Sequence, residues 1–534
     1  MDQGSDFASR PRSVPIAWWF LSLAFFWVWI CPAAWARPTT AAQARQAVET
    51  WLALDPRPLE AALGQEVAEV QAFPGDAEEP HYYVVYLNSR GFVVVAGDDL
   101  VEPIIAFISM GRYDPSPDTP LGALVSQDLA GRVAAAREME SRATPEELSA
   151  PPGAYGQAWR KWELLAQSPA AAKSLTEAAG LPNISDVWVA PFVLSRWGQG
   201  YEYSNYCYNY YTPNNHSMCG CNATASAQLM RYHSHPDTAV GTPSFTIYLN
   251  GAATTASLRG GDGNGGAYDW ANMVLDPDAS ITEAQRQAIG ALCYDAGVAI
   301  STDYRGSSAL AFFREITRSL LDTFHYSNAI RSYNNTAAIP LATLYQMINP
   351  NLDARLPAPI SLKAGGLGHA VLADGYGKNL DTWYHHLNMG WNGNQDAWYN
   401  LPNVQTTSTN YSLIDRCGYN IYPSGTGEII SGRVTGAGGN PVAGAAVLAT
   451  KSGGGSYAAA TDSRGIYALA RIPAASTYNL KATKSGYAFT PRTVATGTSQ
   501  SDTLVTGNVW GADFPGTGGP TGSVSPIYQL LLSD

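Results

Sequence analysis

The amino-acid composition of the chain changes at the Ser-Gly-Thr-Gly run of residues 424–427, which indicates that the chain folds as several domains. After it, short runs of Val, Ala, Tyr and Leu alternate with Gly, Asn, Asp and Pro, which is typical of a small all-β sandwich. Before it, residues 185–423 contain every cysteine beyond residue 36 and seven of the eight histidines. At about 150 residues per domain, a length of 534 residues also predicts three or four domains. We therefore expect the chemistry in 185–423 and a separate sandwich in 428–510.

The balance of charge excludes several classes of protein. Asp and Glu outnumber Lys and Arg by 44 to 32, which gives a formal net charge of −12, and no basic stripe interrupts this acidic background. Such a chain repels polyphosphate, so we predict no nucleic-acid partner. Only 14% of the residues are charged, which excludes long disordered acidic tails and coiled coils.

Residues 1–36 have the pattern of a secretory signal peptide. Arg10 and Arg12 precede an apolar run at 16–30, which ends in a small-x-small cleavage site, Ala-Trp-Ala. No other stretch approaches the roughly 20 apolar residues that a membrane crossing requires. We therefore predict a secreted, extracellular protein with no membrane segment after cleavage, Cys31 being discarded with the signal peptide.

Residues 37–184 combine helical and strand patterns. Apolar residues recur at i, i+4, i+7 and i+8 from Ala44, which is the helical period. A run rich in Val, Tyr and Phe then doubles back through turn-forming residues at 88–90. The predicted elements are a helix over 40–54, strands over 81–87, 91–96 and 101–108, and helices over 129–142 and 157–165. We expect an N-terminal α+β domain that ends in a connector.

Five cysteines remain after the signal peptide, and an odd number in an oxidising compartment leaves at least one thiol unpaired. They are Cys207, Cys219, Cys221, Cys293 and Cys417. The unpaired thiol is either an inert buried side chain, for which Cys293 in an apolar stretch is the best candidate, or a nucleophile. Several disulfide connectivities stay open, of which a Cys207–Cys219 pair is the easiest and would close a short loop.

The stretch 220–233 has the pattern of a loop that leads into a helix, with Cys221 at the helix N-terminus. Small residues after the cysteine allow close packing, and Ala223, Ala227 and Met230 form an inward face. Unpaired backbone N–H groups at a helix N-terminus stabilise a thiolate and lower its pKa. Cys221 is therefore the candidate nucleophile, while Cys219 competes by proximity but lies off the helix start.

A thiolate nucleophile needs an imidazole that holds its proton and later delivers it to the leaving amine. His369 follows a glycine-rich run and precedes a strand-like one, so a substrate backbone can approach its ring. About one hairpin downstream, Asn388 could orient the imidazole. Asp374 is a rival orienting group, but it points to the opposite face of the same predicted strand. The chain order Cys, His, Asn is that of papain-like peptidases.

Several separated segments, in the same order, resemble the streptopain family of secreted bacterial cysteine peptidases. They include 220–233, the Gly-His-Ala motif around His369 and the turn 388–393. The resemblance extends upstream to 187–200, with its Ala-Pro-Phe and Trp-Gly-Gln-Gly motifs, and to 81–99, which is similar to the inhibitory propeptide of these enzymes.

The resemblance implies an α+β, papain-like cysteine peptidase domain at 185–423, preceded by an inhibitory propeptide and connector at 37–184. It implies that Cys221 is the nucleophile, His369 the general acid and base, and Asn388 the orienting amide. The side chain of Gln199, with the backbone N–H of Cys221, would stabilise the oxyanion of the tetrahedral intermediate.

The same resemblance supplies candidates for substrate binding and shows two departures. The candidates are Trp391, Gly368, Ser307 and Ser308, of which Trp391 would shield the His369–Asn388 contact from water. Members of the family often carry a tryptophan where this chain has Met389, and a small apolar residue where it has Asn222. Shielding of the site and substrate preference are therefore expected to differ.

The C-terminal region is similar to carboxypeptidase regulatory-like domains, which are Greek-key β-sandwiches. The similarity lies in four segments, 430–434, 440–445, 461–467 and 486–491. Such a domain is either a folded spacer or a module that binds carbohydrate or a surface protein. Residues 511–534 are predicted to form a Gly-rich linker and a short apolar tail.

These observations predict a secreted cysteine endopeptidase made as a self-inhibited zymogen, which hydrolyses peptide bonds of extracellular proteins through an acyl-enzyme thioester. The Cys-x-Cys and His-x-His pairs at 219–221 and 233–235 lack the spacing of a structural zinc site, so we expect no metal and no cofactor. Three alternatives stay open: a permanent N-terminal packing domain, an adhesin with a non-catalytic peptidase-like scaffold, and acyl transfer to an amine instead of water.

Overall fold

The computed structural model describes residues 38–75, 78–144, 147, 153–178, 184–364, 367–402 and 413–518. The predicted signal peptide, part of the predicted connector and the end of the predicted tail lie outside the described residues. None of the described helices is long and apolar enough to cross a membrane.

The N-terminal region is a sheet covered by helices. Its elements are α1 (Ala41–Leu54), β1 (Val67–Phe73), β2 (Tyr82–Leu87), β3 (Phe92–Ala96), β4 (Ile104–Ile108), α2 (Pro120–Arg142), α3 (Gly153–Leu165) and α4 (Pro169–Ala178). Helix α1 begins at a capping box in which the side chains of Thr40 and Gln43 each accept a backbone N–H of the other residue. Helix α2 begins nine residues earlier than predicted, because Thr119 caps it and Pro120 occupies its first turn.

The peptidase region mixes strands and helices. Its strands are β5 (Ser185–Val189), β6 (Tyr201–Glu202), β7 (Asn205–Tyr206), β8 (Ser244–Leu249), β9 (Ala252–Ser257), β10 (Asp303–Tyr304), β11 (Ala309–Leu310), β12 (Asn328–Tyr333), β13 (Ala358–Ala364), β14 (Leu367–Asn379), β15 (Thr382–Asn388), β16 (Ala397–Tyr399) and β17 (Arg416–Tyr422). Its helices are α5 (Cys221–His233), α6 (Glu283–Ala299), α7 (Arg314–Asp322) and α8 (Leu341–Asp353). The expected α+β class is confirmed.

The N-terminal strands and the peptidase strands form one sheet. In the described chain this sheet has 11 strands in the order β1-β2-β3-β4-β16-β15-β14-β13-β17-β12, with β5 paired to β14. Strands β4 and β16 join the two parts in antiparallel register, with Phe107 opposite Trp398. One apolar cluster runs through both parts. The N-terminal region therefore covers what would otherwise be an exposed edge of the catalytic sheet.

Helix α5 lies at the centre of the second apolar cluster and is buried on every side. All residues from Cys221 to Met230 are buried. The prediction that only one face of this helix, formed by Ala223, Ala227 and Met230, points inward is therefore too narrow. The small Ala, Ser and Thr side chains of this helix let α6 and β14 pack closely against it.

The C-terminal region is an all-β sandwich, as predicted. Its strands are β18 (Glu428–Thr435), β19 (Ala446–Lys451), β20 (Ser456–Ala460), β21 (Ile466–Ile472), β22 (Thr477–Thr483), β23 (Tyr487–Phe489), β24 (Arg492–Ala495) and β25 (Phe514–Gly518). They form two four-stranded sheets, β21-β18-β25-β23 and β20-β19-β22-β24. The predicted linker beginning at residue 511 is wrong up to Gly518, because β25 pairs with both β18 and β23.

Candidate active site

Cys221 is the first residue of α5 and is 7% exposed. The residue before it, Gly220, has φ +93°, and a Cβ there would lie 2.9 Å from the Cβ of Ala309. Only glycine therefore lets the chain turn into the helix while β11 packs against it. The Sγ of Cys221 lies 3.8 Å from the carbonyl oxygen of Gly368, which directly precedes the candidate histidine.

His369 lies on β14, opposite Leu362 of β13, and its ring faces the nucleophile. Burial by itself would raise the pKa of the Cys221 thiol, but the nearby His369 imidazole and the backbone N–H groups of Ala370 and Asn222 together outweigh burial, so the pKa of Cys221 is lowered. Burial would conversely lower the pKa of His369, but Cys221, the Pro117 carbonyl and the Asp118 carboxylate together raise it. The two shifts favour a thiolate–imidazolium pair.

The outer nitrogen of the same imidazole is held by the N-terminal region. The Nε2 of His369 lies 2.9 Å from the carbonyl oxygen of Pro117, in the loop between β4 and α2. This loop is stiffened by its own hydrogen bonds: Ser116 N–H donates to the carboxylate of Asp114 at 2.9 Å, and the Thr119 hydroxyl donates to the carbonyl of Asp114 at 3.1 Å. A segment of the N-terminal region therefore occupies the side of the imidazole that an orienting group would use.

Asn388 lies at the end of β15 and is buried, but among the described residues it makes no hydrogen bond to His369. Its Oδ1 accepts from Gln228 Nε2 at 2.9 Å and from Gly390 N–H at 3.1 Å, and its Nδ2 donates to the carbonyl of Ser195 at 2.8 Å. The predicted Asn388–His369 contact is thus not formed in this structure, because the oxygen of the amide is already engaged and Pro117 holds the imidazole.

Gln199 lies close to the nucleophile, and its side-chain donor is unused. The backbone carbonyl of Gln199 accepts the N–H of Cys219 at 2.8 Å, which ties the residue to the segment that leads into α5. The side chain is 8% exposed, and its Nε2 is buried without a hydrogen-bond partner in the described structure. A buried donor without an acceptor is costly, and an oxyanion bound in the site would supply that acceptor.

The predicted substrate-binding residues differ in what ties them to this centre. Gly368 is exposed, and Ser307 and Ser308 lie in the exposed turn between β10 and β11. That turn is tied to the segment before the nucleophile, because Met218 N–H donates to the carbonyl of Gly306 at 3.1 Å. Trp391 is half-buried and packs against the main apolar cluster.

Asp374, the rival orienting group, engages a different histidine. One oxygen of its buried carboxylate lies 2.6 Å from Nδ1 of His386, and the other accepts the N–H groups of Phe192 and Val193 at 3.1 and 2.8 Å. Burial would lower the pKa of His386, but the charge of Asp374 outweighs burial and raises it. Asp374 therefore has no role at His369 in this structure.

The described cysteines are all free and buried, so the predicted Cys207–Cys219 disulfide is not formed. Burial raises the pKa of Cys207, Cys293 and Cys417, whereas the pKa of Cys221 is lowered. Cys221 is thus the reactive candidate, and Cys293 is the inert buried thiol that its apolar surroundings predict. No group of three or more His, Cys, Asp or Glu side chains in the described ranges could hold a metal ion.

Sequence reasoning missed the loop that reaches His369. Its sequence, Asp-Pro-Ser-Pro-Asp-Thr-Pro at 114–120, is a rigid Pro-rich run between a strand and a helix, and such a run can carry a backbone carbonyl into a cleft. The run itself could have been noticed. Its position over His369 depends on the pairing of β4 with β16, which no local pattern reveals.

A thiol of lowered pKa at a helix N-terminus, paired with an imidazole on the adjacent strand, defines a cysteine-peptidase type of site. Residues 197–399 match the Peptidase C10 family, residues 36–127 match the Spi protease inhibitor and residues 429–506 match the carboxypeptidase regulatory-like domain. The chain therefore carries a domain that matches the C10, or streptopain, family of cysteine-type peptidases, between a region that matches an inhibitor domain and one that matches a regulatory-like domain. The resemblance inferred from the sequence is confirmed.

Curated relatives are similar over most of the chain. "Thiol protease/hemagglutinin PrtT" of Porphyromonas gingivalis is 24% identical over 383 residues, which is 71% of this chain but only 40% of that protein. "Streptopain" of Streptococcus pyogenes is 24% identical over 350 residues, which is 61% of this chain and 75% of that protein. Among solved structures, a prointerpain A fragment from Prevotella intermedia is 19% identical, covers 66% of this chain and 98% of the fragment, and has a TM-score of 0.44.

Proposed function

We propose that this protein is an exported cysteine endopeptidase that is made as a self-inhibited zymogen and hydrolyses peptide bonds of extracellular proteins. The observation that carries the proposal is the pair of opposite pKa shifts at Cys221 and His369, in a site whose imidazole is held by a carbonyl of the N-terminal region. The thiolate is ready to react, and a substrate cannot reach the imidazole until the region at 37–184 moves.

The reaction follows from these groups. The Cys221 thiolate attacks the carbonyl carbon of the scissile bond, and the Gln199 amide and the N–H of Cys221 stabilise the oxyanion, each donor contributing about 3 kcal/mol. The His369 imidazolium donates its proton to the leaving amine, and a thioester remains. His369 then takes a proton from water, which attacks the thioester and releases the new carboxyl end.

Latency has two physical sources. The Pro117 carbonyl occupies Nε2 of His369, and the pairing of β4 with β16 holds that loop in place. After cleavage in the connector and departure of the N-terminal region, Nε2 needs another acceptor. We assign that part to Asn388, whose Oδ1 would release the Gly390 N–H and accept the imidazole N–H while it keeps the hydrogen bond from Gln228.

Substrate and partner assignments complete the proposal. Trp391, Gly368, Ser307 and Ser308 would line the substrate cleft, and residues 1–36 would direct export. The sandwich would take a carbohydrate or a surface protein as its ligand. It is held firmly against the peptidase region, since Arg433 forms an ion pair with Asp186 and Trp510 Nε1 donates to the Tyr376 hydroxyl at 3.1 Å, so a bound target would stay beside the cleft.

The test uses the chain from residue 37 onward, beside Cys221→Ser as the matched control. Both are incubated with casein under reducing conditions, with and without a cysteine-reactive epoxide, and followed by intact mass and peptide mapping. We expect the wild type to shorten itself, to cleave casein and to be labelled at Cys221, while the control does none of these.

Other outcomes support the alternatives. Casein products that carry an added amine would show acyl transfer instead of hydrolysis. Full activity at full length would show that the N-terminal region is a permanent packing domain. A wild type that stays inert and unlabelled even without that region would overturn the proposal and favour the adhesin alternative.

A further inference from the structure

Helix α5 presents a polar stripe on the same face as the nucleophile. Thr224 and Gln228 follow Cys221 at i+3 and i+7, so the three side chains share one side of the helix. The Thr224 hydroxyl donates to the carbonyl of Gly198 at 2.9 Å, directly before Gln199. Gln228 is fully buried and has no role in the mechanism described above.

Both polar atoms of the Gln228 amide form hydrogen bonds. Its Oε1 accepts the Ser195 hydroxyl at 3.0 Å and the N–H of Trp197 at 3.2 Å, and its Nε2 donates to Oδ1 of Asn388 at 2.9 Å. Asn388 in turn donates from Nδ2 to the carbonyl of Ser195 at 2.8 Å. Ser195, Gln228 and Asn388 therefore form a closed, buried ring of hydrogen bonds.

Two backbone N–H groups fix the direction of this ring. The N–H of Trp197 can only donate, so the Gln228 atom that faces it is the oxygen, and the Gln228 nitrogen must face Asn388. The N–H of Gly390 likewise requires that Asn388 present its oxygen. Both amide orientations therefore follow from the main chain.

The ring joins three separate parts of the site. Gln228 belongs to the nucleophile helix, Ser195 begins the segment that leads to Gln199, and Asn388 begins the turn that ends at residue 393. That turn approaches the helix so closely that a Cβ on Gly390, where φ is +64°, would lie 3.1 Å from Cγ2 of Thr224. A change at Gln228 would therefore disturb the oxyanion donor and the candidate orienting amide together.

We propose that Gln228 is a positioning residue of the catalytic site: its amide holds the Gln199 segment and Asn388 in register with Cys221 and touches no substrate atom. The inference rests on the proposed peptidase function and adds to it a residue that acts through its neighbours. It accounts for a fully buried glutamine on a helix whose other buried residues are mostly small.

Gln228→Glu tests the proposal because it keeps the shape of the side chain and makes the hydrogen bond to Asn388 depend on pH. A carboxylate can accept from Ser195 and Trp197 but cannot donate to Asn388, whereas a protonated carboxyl can do both. Burial raises the pKa of a carboxyl, so the protonated form is populated at mildly acidic pH. A carboxylate oxygen that faces Oδ1 of Asn388 loses this buried hydrogen bond and places two acceptors against each other, which costs about 1–3 kcal/mol and corresponds to a loss in kcat of about 5- to 150-fold.

The N-terminal region of each variant is first removed by tagged wild-type enzyme, which is then withdrawn through its tag. The measurement is kcat and KM for casein peptides between pH 5 and pH 8. We expect the kcat of Gln228→Glu, relative to wild type, to fall by about 10- to 100-fold at pH 8 and to recover towards pH 5, with KM within about threefold. Gln228→Met, which cannot donate at any pH, should lose activity equally throughout.

Control variants separate positioning from simple loss of folding. Gln285→Glu keeps the capping box of α6 and should follow the wild type at every pH. Ser195→Ala removes one bond of the ring and should fold, with a smaller, pH-independent loss of kcat, even if Gln228→Glu does not fold.

The proposed function and the positioning role fail with different results. If the processed wild type itself cleaves nothing, both the proposed function and this inference are overturned. If the wild type is active and Gln228→Glu keeps wild-type kcat at pH 8, or Ser195→Ala has no effect, only the positioning role is overturned. A loss by Gln228→Glu that is identical at every pH would also overturn it, because that pattern reports damage to packing.

Discussion

Phe107 offers a direct way to loosen the N-terminal region without touching the catalytic groups. It is buried on β4, opposite Trp398 of β16, and its ring centroid lies 5.2 Å from that of Trp51 and 5.4 Å from that of Tyr384. Phe107 thus packs on one side against its own region and on the other against the peptidase strands.

The size of the effect follows from the packing that is lost. Phe107→Ala removes a fully buried aromatic side chain, a change that costs about 3–5 kcal/mol when the cavity does not collapse. The rings of Tyr384 and Trp398 contact Phe107 only while the N-terminal region is seated, whereas Trp51 leaves with it, so most of this cost favours the open form. At about 1.4 kcal/mol per tenfold, the population of the open form rises by about 10²- to 10³-fold.

The assay is the initial rate at which an epoxide alkylates Cys221 in the full-length chain, read by intact mass before self-cleavage begins. Labelling requires an open site, so the rate follows the population of open molecules. We expect Phe107→Ala to label at least about 100-fold faster than the wild type. Leu480→Ala, a buried change in the sandwich, is the matched control and should label at the wild-type rate.

A Phe107→Ala rate within twofold of the wild type would contradict this prediction, because the thiol would then be accessible whether or not the N-terminal region is seated. Equal acceleration by Leu480→Ala would also refute it, since general destabilisation and not release of the N-terminal region would then expose the thiol.

Three further predictions concern single groups. Gln199→Ala, processed in trans, should lose about 10²- to 10³-fold in kcat with little change in KM, because one oxyanion donor is missing in the transition state. His369→Ala should raise the pKa of Cys221, because burial then acts without the imidazole to oppose it, so alkylation of the processed enzyme at pH 6.5 should slow by at least about tenfold and recover only at alkaline pH. Burial raises the pKa of Asp353 to about 7, so between about pH 4 and 7 the folded chain holds a proton that the unfolded chain releases, and stability falls as pH rises through that window. Asp353→Asn should therefore melt at a higher temperature than the wild type at pH 8, with the difference vanishing near pH 4.

Each of these has a result that would contradict it. An unchanged kcat in Gln199→Ala would remove the side chain from the oxyanion site. An unchanged pH profile of alkylation in His369→Ala would show that the imidazole does not set the reactivity of the thiol. A melting difference for Asp353→Asn that does not depend on pH would show that the buried carboxyl is not the titrating group.

Local pattern was sufficient to predict the parts of the fold that depend on neighbouring residues. The β2–β3 hairpin, helix α1 and the helix that begins at Cys221 all follow from period, caps and turn residues. The sandwich followed from strand and turn composition. Its last strand, Phe514–Gly518, was mistaken for a linker because its Pro and Gly residues disfavour a strand, and pairing with β18 and β23 overrides that preference.

The candidate site was predictable in its chemical groups but not in its contacts. The types and order of Cys221, His369 and Asn388 pointed to cysteine-peptidase chemistry. The partner of His369 in this structure is a carbonyl at Pro117, which reaches it only because two strands far apart in the chain pair with each other. The role of Gln228 could not be predicted, because the sequence around a polar residue in a helix of small residues does not show which groups its side chain binds.

Self-inhibition is tested by comparing alkylation of Cys221 by a cysteine-reactive epoxide in the same preparation before and after the N-terminal region is cleaved and removed. We expect the full-length chain to be nearly unreactive, the processed chain to be labelled at Cys221 alone, and casein hydrolysis to appear with the labelling. Equal labelling of both forms, or a processed chain whose Cys221 stays unmodified, would contradict this expectation.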